Sequence, residues 1–153
     1  MLAMEEMPTT IFNSKVLVTG YGRISKVMVK ALKGLGADVC VTARKVSDLE
    51  WAKIYDCDCV HIDDMASKLS EFDIVFNTIP VVIFDKSKLS LLKKSCLVID
   101  LASKPGGIDF DGASNLGVKV IWALSVPGKV APVTAGKIIA DTILYILSER
   151  GEV

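Results

Sequence analysis

Lys15-Val16-Leu17-Val18-Thr19-Gly20-Tyr21-Gly22-Arg23-Ile24-Ser25 runs from an apolar strand, through two glycines, into an amphipathic helix. A turn of this kind cradles phosphate at the start of a dinucleotide-binding fold. Gly20 allows the tight turn, and Gly22 lets the backbone approach a pyrophosphate. Free amides at the helix start, at the positive end of its dipole, supply the anion site. Tyr21, Arg23 and Ile24 belong to the same turn. The third small position is Ser25, which still permits close helix–strand packing.

About 20 residues on, an NAD site usually carries an acid for the ribose 2′-hydroxyl. Here the chain reads Val41-Thr42-Ala43-Arg44-Lys45. A base suits the 2′-phosphate of NADP, because a guanidinium forks onto phosphate. The expected cofactor is therefore NADP, with NAD as the alternative, and Thr42, Ala43, Arg44 and Lys45 are its expected contacts. The competing reading of Arg44 and Lys45 is a solvated basic loop.

Outward from these two strands, apolar strands alternate with helical patterns. Strands are expected at Val16–Thr19, Asp38–Thr42, Cys59–His61, Ile74–Asn77, Leu97–Asp100 and Val118–Trp122. The first helix places Ile24, Val27, Met28, Ala31, Leu32 and Leu35 on one face and stops at Gly36, a left-handed cap. Further helices are expected around Ser47–Tyr55, Asp63–Ser70, Lys86–Lys93, Asp109–Leu116 and Val133–Ser148, with Ser47 and Asp63 as N-caps. The last should align Ala135, Ile138, Ile139, Thr142, Ile143, Ile146 and Leu147. Such alternation implies an α/β fold: a doubly wound parallel sheet (Rossmann) in three αβα layers, with strand order 3-2-1-4-5-6. Residues 15–150 form one domain in this reading, behind a leading segment, 1–14.

Composition narrows the function classes. The 153 residues are half apolar, and 18 basic residues balance 18 acidic ones, so no nucleic-acid surface is expected. No apolar stretch approaches the ~20 residues that span a bilayer, and the N-terminus lacks a signal-peptide pattern. A soluble, intracellular protein without membrane partners is the expectation. Cys40, Cys57, Cys59 and Cys96 lack paired zinc-site spacing. Cys57 and Cys59 with His61 could form a metal corner, but no fourth ligand is evident, and reduced thiols are the simpler reading. His61, the only histidine, is read as structural.

Ligands in such sheets bind beyond the carboxyl ends of the strands. The fourth strand ends in Asn77-Thr78-Ile79-Pro80, whose polar side chains either meet the cofactor or cap the strand. The fifth ends in Asp100-Leu101-Ala102-Ser103-Lys104-Pro105-Gly106-Gly107, and the sixth leads to a loop, Pro127-Gly128-Lys129-Val130-Ala131-Pro132. Asp100 is a further cofactor candidate. Lys104 and Lys129 are either anion contacts for a substrate carboxylate or solvated surface groups.

At these residues the chain resembles the A subunits of bacterial dipicolinate synthase. The resemblance rests on Gly20-Tyr21-Gly22-Arg23, Gly36-Ala37-Asp38-Val39, Ala43-Arg44 and Asn77-Thr78-Ile79-Pro80. It continues through Ile99-Asp100-Leu101-Ala102-Ser103-Lys104-Pro105-Gly106-Gly107 and Pro127-Gly128-Lys129-Val130-Ala131-Pro132-Val133-Thr134-Ala135-Gly136. The last two runs are the more specific. Ser25 and Leu124-Ser125-Val126 depart from the family pattern.

The resemblance implies an enzyme of the mother-cell cytoplasm in a spore former. It would oxidise dihydrodipicolinate to dipicolinate with NAD(P), alongside a flavoprotein-like B subunit, with homo-oligomers as a further association. Lys104 and Lys129 become the partners of the two substrate carboxylates; no general base is identifiable. Family members carry an N-terminal domain that is absent here, and Met1–Met7 resembles the end of its linking helix, so this domain alone is expected to be inactive. Two other readings stay open: the Rossmann half of a different NADP-dependent dehydrogenase, and a non-catalytic nucleotide-sensing or dimerisation module.

Overall fold

Six short runs rich in Val, Ile and Leu form a single parallel sheet in the computed structural model, which describes residues 5–7 and 10–151. Most of the stretch likened to a linking helix, Met1–Met7, lies outside the described residues. The strands are β1 (Lys15–Thr19), β2 (Asp38–Ala43), β3 (Asp58–His61), β4 (Ile74–Asn77), β5 (Leu97–Asp100) and β6 (Lys119–Trp122). Their order is β3-β2-β1-β4-β5-β6, the doubly wound order expected from the alternation. Right-handed crossovers place helices on both faces, giving the three-layer Rossmann architecture. Chain contacts group into two compact units, one ending at Trp122 and one beginning at Ala123.

The first crossover helix, α1 (Arg23–Gly34), ends in a Schellman cap. Gly36 takes φ +77°, its N–H donates to Lys33 O, and the Ala37 N–H reaches back to Leu32 O, as that motif requires. The buried face of α1 is not the expected one. Ser25, Val29 and Leu32 are buried, whereas Ile24, Val27 and Leu35 are at least half exposed. A small residue faces the strands, so the helix packs close, and that rotation turns most of the anticipated stripe outward.

The second crossover uses α2 (Val46–Ile54). Its N-cap is Lys45 rather than Ser47, with no capping side chain. Between β3 and β4 the chain forms a ten-residue 3-10 helix (Ile62–Glu71). Its N-cap is His61, not Asp63: the His61 ring accepts from the Asp63 N–H. Met65 and Leu69 of this helix are fully buried. They join Leu17, Cys40, Val75 and Val98 of the sheet, with Phe84 and Leu89, in the main core cluster. The expected helix at Lys86–Lys93 is shorter, α3 (Lys86–Leu89), capped by Asp85. The last helix of this unit is α4 (Phe110–Leu116), capped by Asp109.

The second unit contains α5 (Val126–Val130) and α6 (Pro132–Glu149). The expected loop at 127–132 is therefore mostly helical. A proline in a first turn is no obstacle, since the N–H it lacks has no intrahelical acceptor there. No residue of α6 is buried, so its aliphatic positions do not form the buried stripe that their spacing suggested. Among the described residues, no helix is long and apolar enough to cross a membrane.

Candidate functional site

The β1–α1 turn is built by two glycines with different roles. Gly20 adopts φ +84°, and a Cβ there would lie 2.8 Å from Thr78 Oγ1; both its conformation and its surroundings demand glycine. Gly22 is the N-cap of α1 in an extended conformation, with no side-chain cap. A Cβ on Gly22 would meet nothing within 4 Å. The space above the helix start is thus open, and α1 leaves its first amides uncapped by a side chain, which suits a phosphate.

Across the turn, Ser25 and Thr78 lock α1 to the end of β4. Their hydroxyls lie 2.9 Å apart, and Thr78 Oγ1 donates to Thr19 O at 2.7 Å. Ser25 is fully buried, so the deviation from a third glycine supplies a tether instead of a bare contact.

A polar row lies one strand repeat beyond the core. Leu17, Cys40, Val75 and Val98 are cross-strand neighbours in the core cluster. Two residues further, on the same sheet face, stand Thr19, Thr42, Asn77 and Asp100, all with no exposed surface. Asn77 Oδ1 accepts from Thr19 Oγ1 at 2.6 Å and from the Ile79 N–H at 3.1 Å. Its Nδ2 donates to Ile79 O at 3.0 Å and to Asp100 Oδ1 at 2.8 Å. These four bonds exhaust a carboxamide. Asp100 also accepts from the N–H groups of Ala102 and Gly107.

The side chains of Asn77 and Asp100, expected as cofactor contacts, are committed to each other and to the loops after β4 and β5. Thr42 stands in the same row. Its side chain is buried, and its Oγ1 has no hydrogen-bond partner among the described residues; its carbonyl accepts from the Gly20 N–H at 2.8 Å.

The cleft itself, of about 470 Å3, is lined by Gly20, Tyr21, Ala43, Arg44, Lys45, Asp48, Ile62, Ile79, Val81 and Ile83. It joins the phosphate-type turn to the end of β2, at the point where strand order reverses. Sequence reading named Gly20, Tyr21, Ala43, Arg44, Lys45 and Ile79. It missed Asp48, Ile62, Val81 and Ile83, which come from α2, the 3-10 helix and the loop after β4. Only the rule that ligands sit at the carboxyl edge pointed toward those segments.

Arg44 is exposed, and no ion pair among the described residues engages it. Its carbonyl meets His61 Nε2 at 3.0 Å, which holds the loop after β2 against the end of β3. The cleft shares Arg44, Ile62 and Ile83 with a neighbouring cavity of about 390 Å3 that extends to Lys88. Tyr21 is buried, and that burial chiefly, with smaller contributions from groups such as Cys57 and Tyr55, pushes its hydroxyl above the ordinary range.

Arg23, Ile24 and Pro80 are exposed beside these segments. Lys104 is exposed on the loop after β5 and does not line the cleft. Lys129 is exposed on α5, in the second unit. A separate cavity of about 330 Å3 includes Lys15, Asp38, Asp58 and Glu71 in its lining. It opens at the amino edge, the wrong end of a parallel sheet for a dinucleotide. Cys59 Sγ donates to Leu49 O at 3.3 Å.

Residues 3–104 match the family model for the D-isomer specific 2-hydroxyacid dehydrogenase, NAD binding domain. The chain belongs to that family. Within it, the chain is similar to the dipicolinate synthase A subunit of Bacillus subtilis (strain 168), with 39% identity over 151 residues, 97% of this chain and 50% of that protein. It is also similar to the crystal structure of dipicolinate synthase, A chain, from Bacillus subtilis: 37% identity, TM-score 0.95, 99% of this chain and 51% of that one. The structure of the dipicolinate synthase A subunit from Bacillus halodurans gives 36% identity and a TM-score of 0.92, over 95% and 50% of the two chains. This NAD-binding domain spans about half the length of the relatives it matches.

Proposed function

We propose that this domain binds NADP in the cleft and serves as the cofactor-binding half of an oxidoreductase of the dipicolinate synthase type. The amides of Gly20–Ile24 would hold the diphosphate, Ile62 and Ile83 would offer apolar surface to the adenine, and Arg44 with Lys45 would take the 2′-phosphate. One observation carries this reading. A turn with open space above Gly22 shares a cleft edge with a guanidinium that has no acidic partner among the described residues.

When bound, the nicotinamide supplies a hydride acceptor. The whole enzyme then oxidises dihydrodipicolinate to dipicolinate, with Lys104 pairing with a substrate carboxylate and with a B subunit for partner. The setting is the mother-cell cytoplasm during sporulation. Support comes from the 39% identity to the Bacillus subtilis synthase and from the resemblance carried by the D-L-A-S-K-P-G-G run at 100–107.

A charge-assisted contact from Arg44 is worth about 1.5–3 kcal/mol, or about one to two decades in affinity. Fluorescence titration should therefore show tighter binding of NADPH than NADH, with the preference lost in Arg44→Glu. Unchanged selectivity in that variant would remove Arg44 from the reading. A second cofactor assignment, NAD, has one observation behind it: Asp48 lines the same cleft and offers an acceptor for a ribose hydroxyl.

A further inference from the structure

We infer that Ser25 and Thr78 form a hydroxyl relay that sets the pose of the phosphate turn, a positioning role that rests on the nucleotide reading above. Ser25 occupies the third small position of the glycine motif and is fully buried, so its hydroxyl cannot reach a ligand in the cleft. Thr78 Oγ1 gives its one hydrogen to Thr19 O at 2.7 Å. In the 2.9 Å contact between the two hydroxyls, Ser25 is therefore the donor, because each hydroxyl carries a single O–H. The Thr78 N–H reaches the same Thr19 carbonyl at 3.3 Å. A Cβ on Gly20 would lie 2.8 Å from Thr78 Oγ1, so that oxygen also fills the space beside the first glycine. Thr78 thus touches the turn at its start, at its middle and, through Ser25, at its far end.

The relay ends at the helix start that faces the anion. The first intrahelical bond of α1 runs from the Lys26 N–H to Gly22 O at 3.0 Å, which leaves the N–H groups of Arg23, Ile24 and Ser25 without an intrahelical acceptor. Arg23 and Ile24 are among the donors assigned to the diphosphate, and Ser25 continues their row while its side chain pins the same turn to the end of β4. Amides fixed before the ligand arrives lose less freedom on binding. A glycine at position 25 keeps the close packing and forfeits this tether. Neither hydroxyl has to touch the nucleotide for its removal to weaken binding.

The test is fluorescence titration of the full chain with NADPH in the wild type, Ser25→Ala, Thr78→Val, the double variant and Thr78→Ser, with urea unfolding to confirm that each is folded. Adenosine 2′-monophosphate, which carries the phosphate for Arg44 but no diphosphate, is the second ligand, read by its displacement of NADPH. Ser25→Ala and Thr78→Val should each weaken NADPH binding about three- to tenfold. The double variant should match Thr78→Val, since the bond from Ser25 is already gone there. Thr78→Ser keeps the hydroxyl and should recover binding to within about twofold of the wild type. The affinity for adenosine 2′-monophosphate should stay within about twofold throughout. A loss confined to Thr78→Val would make that side chain a direct contact and overturns the relay, as do equal losses for both ligands, which would mark a general loosening. A wild type that binds neither ligand overturns the nucleotide reading, and this inference with it.

Discussion

Asn77 Nδ2 donates to Asp100 Oδ1 at 2.8 Å, and neither residue exposes any surface. The pair joins β4 to β5 at the carboxyl edge, and through Asp100 it holds the N–H groups of Ala102 and Gly107. Removing the carboxamide leaves Asp100, Thr19 and Ile79 without their partner in a dry site. Asn77→Ala should therefore cost about 3 kcal/mol. Urea unfolding at constant m-value checks this; a loss under about 1 kcal/mol would mean that water or a rearranged loop replaces the amide.

The two glycines of the β1–α1 turn should separate stability from binding. Gly20→Ala forces a Cβ to φ +84° and against Thr78 Oγ1, so it should lower stability by about 2 kcal/mol or more. Gly22→Ala meets no atom of the described residues within 4 Å and should fold within about 0.5 kcal/mol of the parent. Its methyl group, however, enters the space assigned to the diphosphate. NADPH affinity should fall about tenfold or more, and an unaltered titration curve would place the phosphates elsewhere.

The sheet was legible because most strands are short runs rich in β-branched residues between turn residues, and the two halves of the chain alternate in the same way. Helix faces were harder. In α1 the largest aliphatic residues are not the buried ones, because the contact with the sheet is made by Ser25, Val29 and Leu32. Asn77 and Asp100 looked like ligand contacts since both end strands at the expected edge. Their mutual satisfaction depends on the pairing of β4 with β5 in register, Asn77 opposite Asp100, which no local pattern reveals. Arg44 and Lys45 were legible from spacing alone, whereas Asp48 and Ile62 needed the folded cleft.

Thr42 offers a test of its own place as a cofactor contact. Its hydroxyl is buried without a partner among the described residues, so Thr42→Val removes an unsatisfied group and keeps the β-branched shape. Stability should rise by about 1 kcal/mol, with NADPH affinity unchanged. A drop in affinity would show the hydroxyl touching the nucleotide after all.

Alkaline pH should destabilise the domain through its thiols. Burial pushes Cys40 and Cys96 up to about 12, and Cys57 to about 11, from an ordinary value of 9.0. Below pH 9 the thiols are neutral in both states, and their burial costs no ionisation. Between pH 9 and pH 12 the unfolded chain releases protons that the folded chain retains, so stability falls as pH rises through that window. Denaturation at pH 8.5 and pH 10.5 should show this loss, smaller in Cys96→Ala than in the parent. An equal loss in both chains would assign it to other groups.

The most direct test is a crystal structure of the chain with NADP. The account predicts the diphosphate against the amides at Gly22 and the 2′-phosphate within hydrogen-bonding reach of the Arg44 guanidinium. A nucleotide seated in the amino-edge cavity, or a β1–α1 cleft that stays vacant at saturating NADP, would contradict it.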